Sequence, residues 1–194
     1  SLSSMQDSVQ QYAVNQDQRS GQRLLWSDSY HSLKRLLTGL VLAAILGLLF
    51  GIAVGIIPYV RATLAPLIAA LSMIPPLALL PILFIVFGLG ELSKVVLIIF
   101  GIAPFMMRDL ALKIGDIPAE QLIKAQTLGA NTWQIILRVV IPQITPRLLD
   151  ALRLSLGPAW LFLIASEAIA ATDGLGYRIF LVRRYLAMDV ILPY

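Results

Sequence analysis

Apolar positions in this chain follow one another in long unbroken runs, and polar positions gather between the runs instead of alternating with them. About 20 apolar residues of helix cross a bilayer core of roughly 30 Å. Four stretches come near that length: Leu36 to Ile57, Pro66 to Phe87, Val95 to Met107 with an extension to Leu112, and Leu148 to Ala171. Lipid leaves no partner for open backbone groups, so spanning segments are helices or closed barrels. Continuous runs without a two-residue period select helices. The expected fold is an all-α polytopic membrane helix bundle.

Three of the runs carry internal features. In the first, Gly39, Gly47, Gly51 and Gly55 recur, the last three at every fourth position. That spacing lets a second helix approach closely, and bundle packing is favoured over lining of a pathway. The second run, "LSMIPPLALLPILFIVFGLGELSK", holds Pro75, Pro76 and Pro81, which remove backbone donors and break or kink a helix. It reads either as a kinked packing helix or as a pathway-lining one, with Met73, Pro75 and Pro76 as the pathway candidates. The fourth run contains Arg153 and Glu167. Arg153 can snorkel to the near interface and pair with Asp150, three residues earlier on the same face. Glu167 stands beside "AATDGLGY", where Gly174 and Gly176 indicate a tight loop. A buried carboxylate needs partners, and backbone amides of that loop or an arginine such as Arg178 can supply them. Glu167, Gly174 and Gly176 are thus candidates for an external gate.

Between the third and fourth runs lies the polar stretch "EQLIKAQTLGANTWQIILRVVIPQITP". Pro118 suits a helix start, and a short helix fits residues 118–128, with Leu122, Ala125 and Gln126 on one face. Gly129 supplies the stop, and Asn131 or Thr132 an N-cap for the next helix. Pro142 and Pro146 are expected to bend the chain as it re-enters the membrane. The shape is a lever lying on the membrane surface, suited to docking another protein.

Composition narrows the classes. The chain is 58% hydrophobic and 13% charged, against about 25% charged in soluble domains, with a mean hydropathy of +0.83. The basic residues are scattered, which disfavours nucleic acid as a partner. Cysteine is absent and His31 is the single histidine, so disulfides and thiolate metal sites are excluded and no metal site is expected. The polar first 35 residues are no signal peptide. The closing "AMDVILPY" reads as the start of a further span near 187–194, so the sequence is expected to be an excerpt of a longer protein. Basic residues do not orient the chain: six lie on the side of the polar hairpin and eight on the other.

The hairpin resembles the EAA loop of permease subunits of bacterial ABC importers, whose pattern is E-A-A, three residues, Gly, nine residues, I-x-L-P. Gly129 takes the glycine position, and Val139, Val140, Ile141 and Pro142 match its end conservatively. The triplet falls on Ile123, Lys124 and Ala125, so only the last alanine is kept, with Glu120 one turn earlier as a partial substitute. "SLKRLLTGLVLA", "IPPLALLPILFIVFGLGELSK" and "EAIAATDGLGY" are similar to the nitrate, sulfonate, taurine and bicarbonate branch, and further to permeases found beside urea carboxylase genes, linked to urea or guanidine-type compounds. The resemblance spans roughly residues 30 to 190.

It implies a type I importer permease of the bacterial inner membrane, with a cytoplasmic coupling helix and residues 1–35 outside. It implies a homodimer, two ATP-binding cassette subunits within and a solute-binding protein outside. Glu120, Gln121, Lys124, Ala125, Gly129 and Ala130 would form the docking surface for the ATPase. No Walker A pattern is present, so ATP hydrolysis, cofactor and catalytic residues are assigned to the partners and not to this chain. The alternatives are an ion-coupled secondary transporter, which would want midplane acids or histidines, and a purely structural membrane subunit.

Overall fold

A computed structural model describes residues 23–183, and every regular element among them is helical. In chain order these are α1 (Leu24–Ile56), α2 (Pro58–Met73), a 3₁₀ turn (Pro76–Leu79), α3 (Leu80–Phe87), α4 (Glu91–Gly115), α5 (Ala119–Thr127), α6 (Thr132–Ile135), a π turn (Ile136–Val140), α7 (Ile141–Ala170) and α8 (Leu175–Arg183). Three helices are long and apolar enough to span a membrane: α1, α4 and the continuous stretch Thr132–Ala170. A fourth span results if Pro58–Met73 and Pro76–Phe87 count as one broken crossing. The stretch near 187–194 lies outside the described residues.

Prolines punctuate these elements. Ile57 ends α1 and, in extended conformation, caps α2, with Pro58 in its first turn, where a missing N–H costs nothing. Ile74, before Pro75, is also extended (φ −76°, ψ 122°), as the proline ring requires of its predecessor. Pro66, Pro104, Pro146 and Pro158 remain inside helices.

The helices run past the expected spans, α2 starting at Pro58 and not Pro66 and α4 covering Glu91–Gly115 in place of 95–112, and two further differences have a physical cause. Helix α1 begins at Leu24, twelve residues ahead of the apolar run, because Asp28, Ser32 and Arg35 continue its buried stripe instead of facing water. The expected bend at Pro142 and Pro146 is replaced by one helical path from Thr132 to Ala170. The π turn makes this possible. Ile141 donates to the carbonyl of Ile136, five residues back, and the widened turn relieves the clash of the Pro142 ring with the preceding turn.

The chain divides into two compact units. Unit 1 comprises residues up to 39, 76–98 and from 160 onward; unit 2 comprises 40–75 and 99–159. In unit 1, Leu80, Leu83 and Leu97 form a core with Phe84, Val96 and Phe162 against it. Unit 2 is organised around the glycine stripe. A Cβ at Gly47, Gly51 or Gly55 would stand 2.8–2.9 Å from the Cβ of Met106, Leu110 or Ile114. The stripe therefore packs against α4, with both helices running in the same direction and both using every fourth residue, the small-residue packing class. In unit 1, Gly39 meets Ile98 in the same manner.

Candidate functional site

The polar hairpin belongs to unit 2. Helix α5 carries an acidic Glu120 in its first turn and Lys124 in its last, in accord with its dipole. It ends on Gly129 at φ +83°. The N–H of Gly129 donates to Gln126 O (2.9 Å) and that of Ala130 to Ala125 O (3.0 Å), the Schellman pairing. Asn131 then caps α6 through a reciprocal box: Gln134 N–H donates to Asn131 Oδ1 (2.8 Å), and Asn131 N–H to Gln134 Oε1 (3.0 Å).

The hairpin has two faces. Leu122, Ala125 and Ala130 pack on a core of Ile114, Ile135, Val140 and Ile144, which joins the end of α4 to the start of the last long helix. Glu120, Gln121, Lys124 and Gly129 face away from it, as does Gln126, which was expected to share a face with Leu122 and Ala125. The bare face also carries Ile123, Leu128 (88% exposed) and Trp133. Of the six docking candidates, Ala125 and Ala130 thus serve the inner contact. Gln121 is tied to the last long helix by the amide of Gln143, which donates to its Oε1 at 3.0 Å.

The second group of candidates lies in unit 1. Glu167, fully buried, accepts from Arg35 Nη1 (2.8 Å), Ser32 Oγ (2.8 Å) and the N–H of Gly176 (2.9 Å). Arg35 also donates to both oxygens of Glu91 (2.5 and 2.6 Å) and to the carbonyl and carboxylate of Asp173. Lys94 reaches Glu91 at 3.3 Å. The arginine partner of Glu167 is therefore Arg35; Arg178, the candidate from sequence, pairs with buried Asp28 at 2.9 Å. Three amides at the head of α8 are held by side chains: Gly174 N–H by Asp28 (3.1 Å), Leu175 N–H by Ser32 Oγ (2.9 Å) and Gly176 N–H by Glu167. These are the orphan donors of a helix start, met by side chains of α1 and α7. Gly174, at φ +108°, lies where a Cβ would strike the Glu167 carboxyl at 2.7 Å, so the loop can sit on the cluster only as glycine.

Asp28, Ser32, Arg35, Glu91 and Asp173 were missed as a group by the sequence reading. A faint signal existed in the 28, 32, 35, 39 spacing, which extends the small-residue face of α1 upstream. The expected Asp150–Arg153 pair is not formed; both line an exposed pocket with Asp109, Lys113 and Arg147. Met73 is 77% exposed and lines a cavity of unit 2, Pro75 is exposed and Pro76 half-buried. No group of three or more metal-ligating side chains occurs among the described residues.

Comparison with known proteins places this architecture. The chain is 41% identical over 169 residues to the taurine transport system permease protein TauC of Escherichia coli K12, covering 87% of this chain and 61% of that relative. It is 35% identical to the nitrate import permease protein NrtB of Synechococcus elongatus (75% of this chain, 52% of the relative) and 33% identical to the aliphatic sulfonates transport permease protein SsuC of Bacillus subtilis (79% and 56%). The chain spans about three fifths or less of the length of these relatives. Its fold matches a chain of the MetNI methionine ABC transporter in inward-facing form, with a TM-score of 0.64 at 23% identity over 81% of this chain and 82% of that one. Residues 31–194 match the family described as binding-protein-dependent transport system inner membrane component, and the chain belongs to that family of transport subunits.

Proposed function

We propose that the chain is the membrane permease of an ATP-driven importer and that α5 is the lever on which an ATP-binding subunit docks. The observation that carries this reading is the two-faced hairpin. Its inner face is fastened to α4 and to the last long helix through Ile114, Ile135, Val140 and Ile144. Its outer face leaves Glu120, Lys124, Ile123 and Leu128 without cover from the described residues. A partner that displaces α5 therefore displaces the ends of those helices with it. ATP binding draws two docked ATPases together, the levers tilt the spans, and the pathway between two permease copies opens to a solute-binding protein on the far side.

The solute class is a small polar molecule of the sulfonate or nitrate kind, in keeping with the taurine, nitrate and sulfonate names of the relatives. The Glu167 cluster with the Gly174–Gly176 loop serves as the gate on the binding-protein side. Reconstitution of the full-length permease with its ATPase and binding protein tests the proposal. Uptake should require ATP on the α5 side and survive dissipation of ion gradients. Uptake driven by an ion gradient without ATP overturns it.

A further inference from the structure

A polar contact joins α5 to the last long helix beside the apolar inner face of the hairpin. The side-chain amide of Gln143 donates twice from Nε2, to Gln121 Oε1 at 3.0 Å and to the carbonyl of Val139 at 2.9 Å. Val139 belongs to the π turn and packs on the buried Val140 and Ile144 under the hairpin. The backbone that carries this acceptor is therefore fixed, whereas both glutamine side chains are exposed.

The chemistry of the three groups sets their orientation. A backbone carbonyl only accepts, so the end of the Gln143 amide at Val139 is the NH2. That nitrogen has two hydrogens. The second goes to Gln121, which must answer with its oxygen. The NH2 of Gln121 is thereby turned away from the last long helix, and it has no partner among the described residues. It stands on the face of α5 that points away from the core, next to the uncovered Glu120.

We infer that Gln143 is a positioning residue: it locks Gln121 with its NH2 outward, so that a docked ATP-binding subunit meets a donor and supplies a carbonyl or carboxylate oxygen there. The inference rests on the reading of α5 as the docking lever. Without Gln143, the exposed Gln121 amide turns about its last torsion and offers oxygen as readily as nitrogen. Fixing it beforehand removes that ordering cost on docking. It also ties the place of the donor to the π turn at the foot of the last long helix.

The test titrates the full-length permease in nanodiscs with its cognate ATP-binding subunit and follows ATP-driven uptake by the reconstituted complex. Gln121→Leu deletes the donor and should weaken docking about tenfold, the effect of one unmatched hydrogen bond. Gln143→Leu frees the amide, so that about half of the molecules present the donor at any time, and docking should weaken about twofold. Gln143→Glu separates orientation from attachment. The new carboxylate keeps the link to α5 but can only accept, so Gln121 reverses and presents its oxygen. Docking should then weaken about tenfold, more than in Gln143→Leu. Adding Gln121→Lys to Gln143→Glu supplies a group that only donates and should return docking to near the wild-type value. A Gln143→Glu variant that docks like the wild type, or better than Gln143→Leu, overturns the inference, because the contact is then a tie and nothing more. Failure of the added Gln121→Lys to improve docking overturns the donor assignment. Substitutions at exposed positions should leave the melting temperature nearly unchanged, and a docking loss that follows a fall in melting temperature across the variants overturns the inference as well. Each of these results leaves the permease reading standing while the wild type imports by ATP; absence of ATP-driven uptake in the wild type sinks that reading and the inference with it.

Discussion

Replacement of Arg35 by glutamine probes the cluster at the head of α8 at its centre. Arg35 is 3% exposed in its side chain and joins three carboxylates. Those carboxylates do not lose equally when it goes. Glu91 is 64% exposed and Asp173 38%, so water can replace much of what the guanidinium supplied, and each contact is weighted toward the small value of surface pairs, about 0–1 kcal/mol. Glu167 is 0% exposed and retains only Ser32 and one amide. Breaking a buried pair by removing one partner costs about 3–5 kcal/mol, since an uncompensated charge remains. For a domain of this size the melting temperature should fall by roughly 6–20 °C. The companion change Glu167→Gln removes the stranded charge while keeping shape. The double variant should therefore melt above Arg35→Gln alone, with a coupling of about 1–3 kcal/mol. Thermal unfolding of the purified complex, followed by size-exclusion fluorescence, measures the cycle. Additive effects of the two changes would show that the pair is not the element holding the loop. If the cluster is also the gate, Glu167→Gln raises basal ATPase activity and weakens its dependence on binding protein; wild-type coupling in that variant sinks the gate.

Three other outcomes are expected. Gly129→Val places a β-branched residue at φ +83°, costing about 1–2 kcal/mol or more; it should reduce co-purification of the ATPase without altering membrane insertion, and unchanged stoichiometry counts against the lever. Gly51→Val sets a side chain against Leu110 Cβ, which already lies 2.9 Å from an ideal Cβ, and overpacking of about 1–3 kcal/mol should lower the melting point, whereas Gly90→Ala, with nothing within 4 Å, should be silent. Cysteines at Met73, Pro75 and Pro76 should react with water-soluble thiol reagents in a manner that changes when nucleotide is trapped; inertness of all three in every state makes the break a packing feature.

Much of the fold is legible in sequence because its causes are local. Apolar runs declare the long helices, Pro118 and Gly129 bracket α5, and Asn131 announces the next start. The head of α8 is not legible, because its stabilising partners are remote: Gly174 finds Asp28 across 146 positions, and Glu167 finds Arg35 across 132. A polar run such as "SDSYHSLKR" looks like a surface segment until those partners are known. Local rules also mislead at Pro142, where a proline that ordinarily ends a helix is absorbed by one widened turn. In the docking hairpin, the helix and its stop could be read, but not which alanines turn inward.

The interlock of α1 and α4 in unit 2 limits how that pair can move. Glycine meets Met106, Leu110 and Ile114 at each fourth position along both helices, so a slide of half a turn would drive a large side chain into the backbone between glycines. The next arrangement that fits lies four residues away, about 6 Å. Small displacements are blocked, and the pair behaves as a keyed shaft: it can pivot as one body or jump a full notch, but it cannot creep. Any gradual motion passed on from α5 must be absorbed elsewhere in the chain.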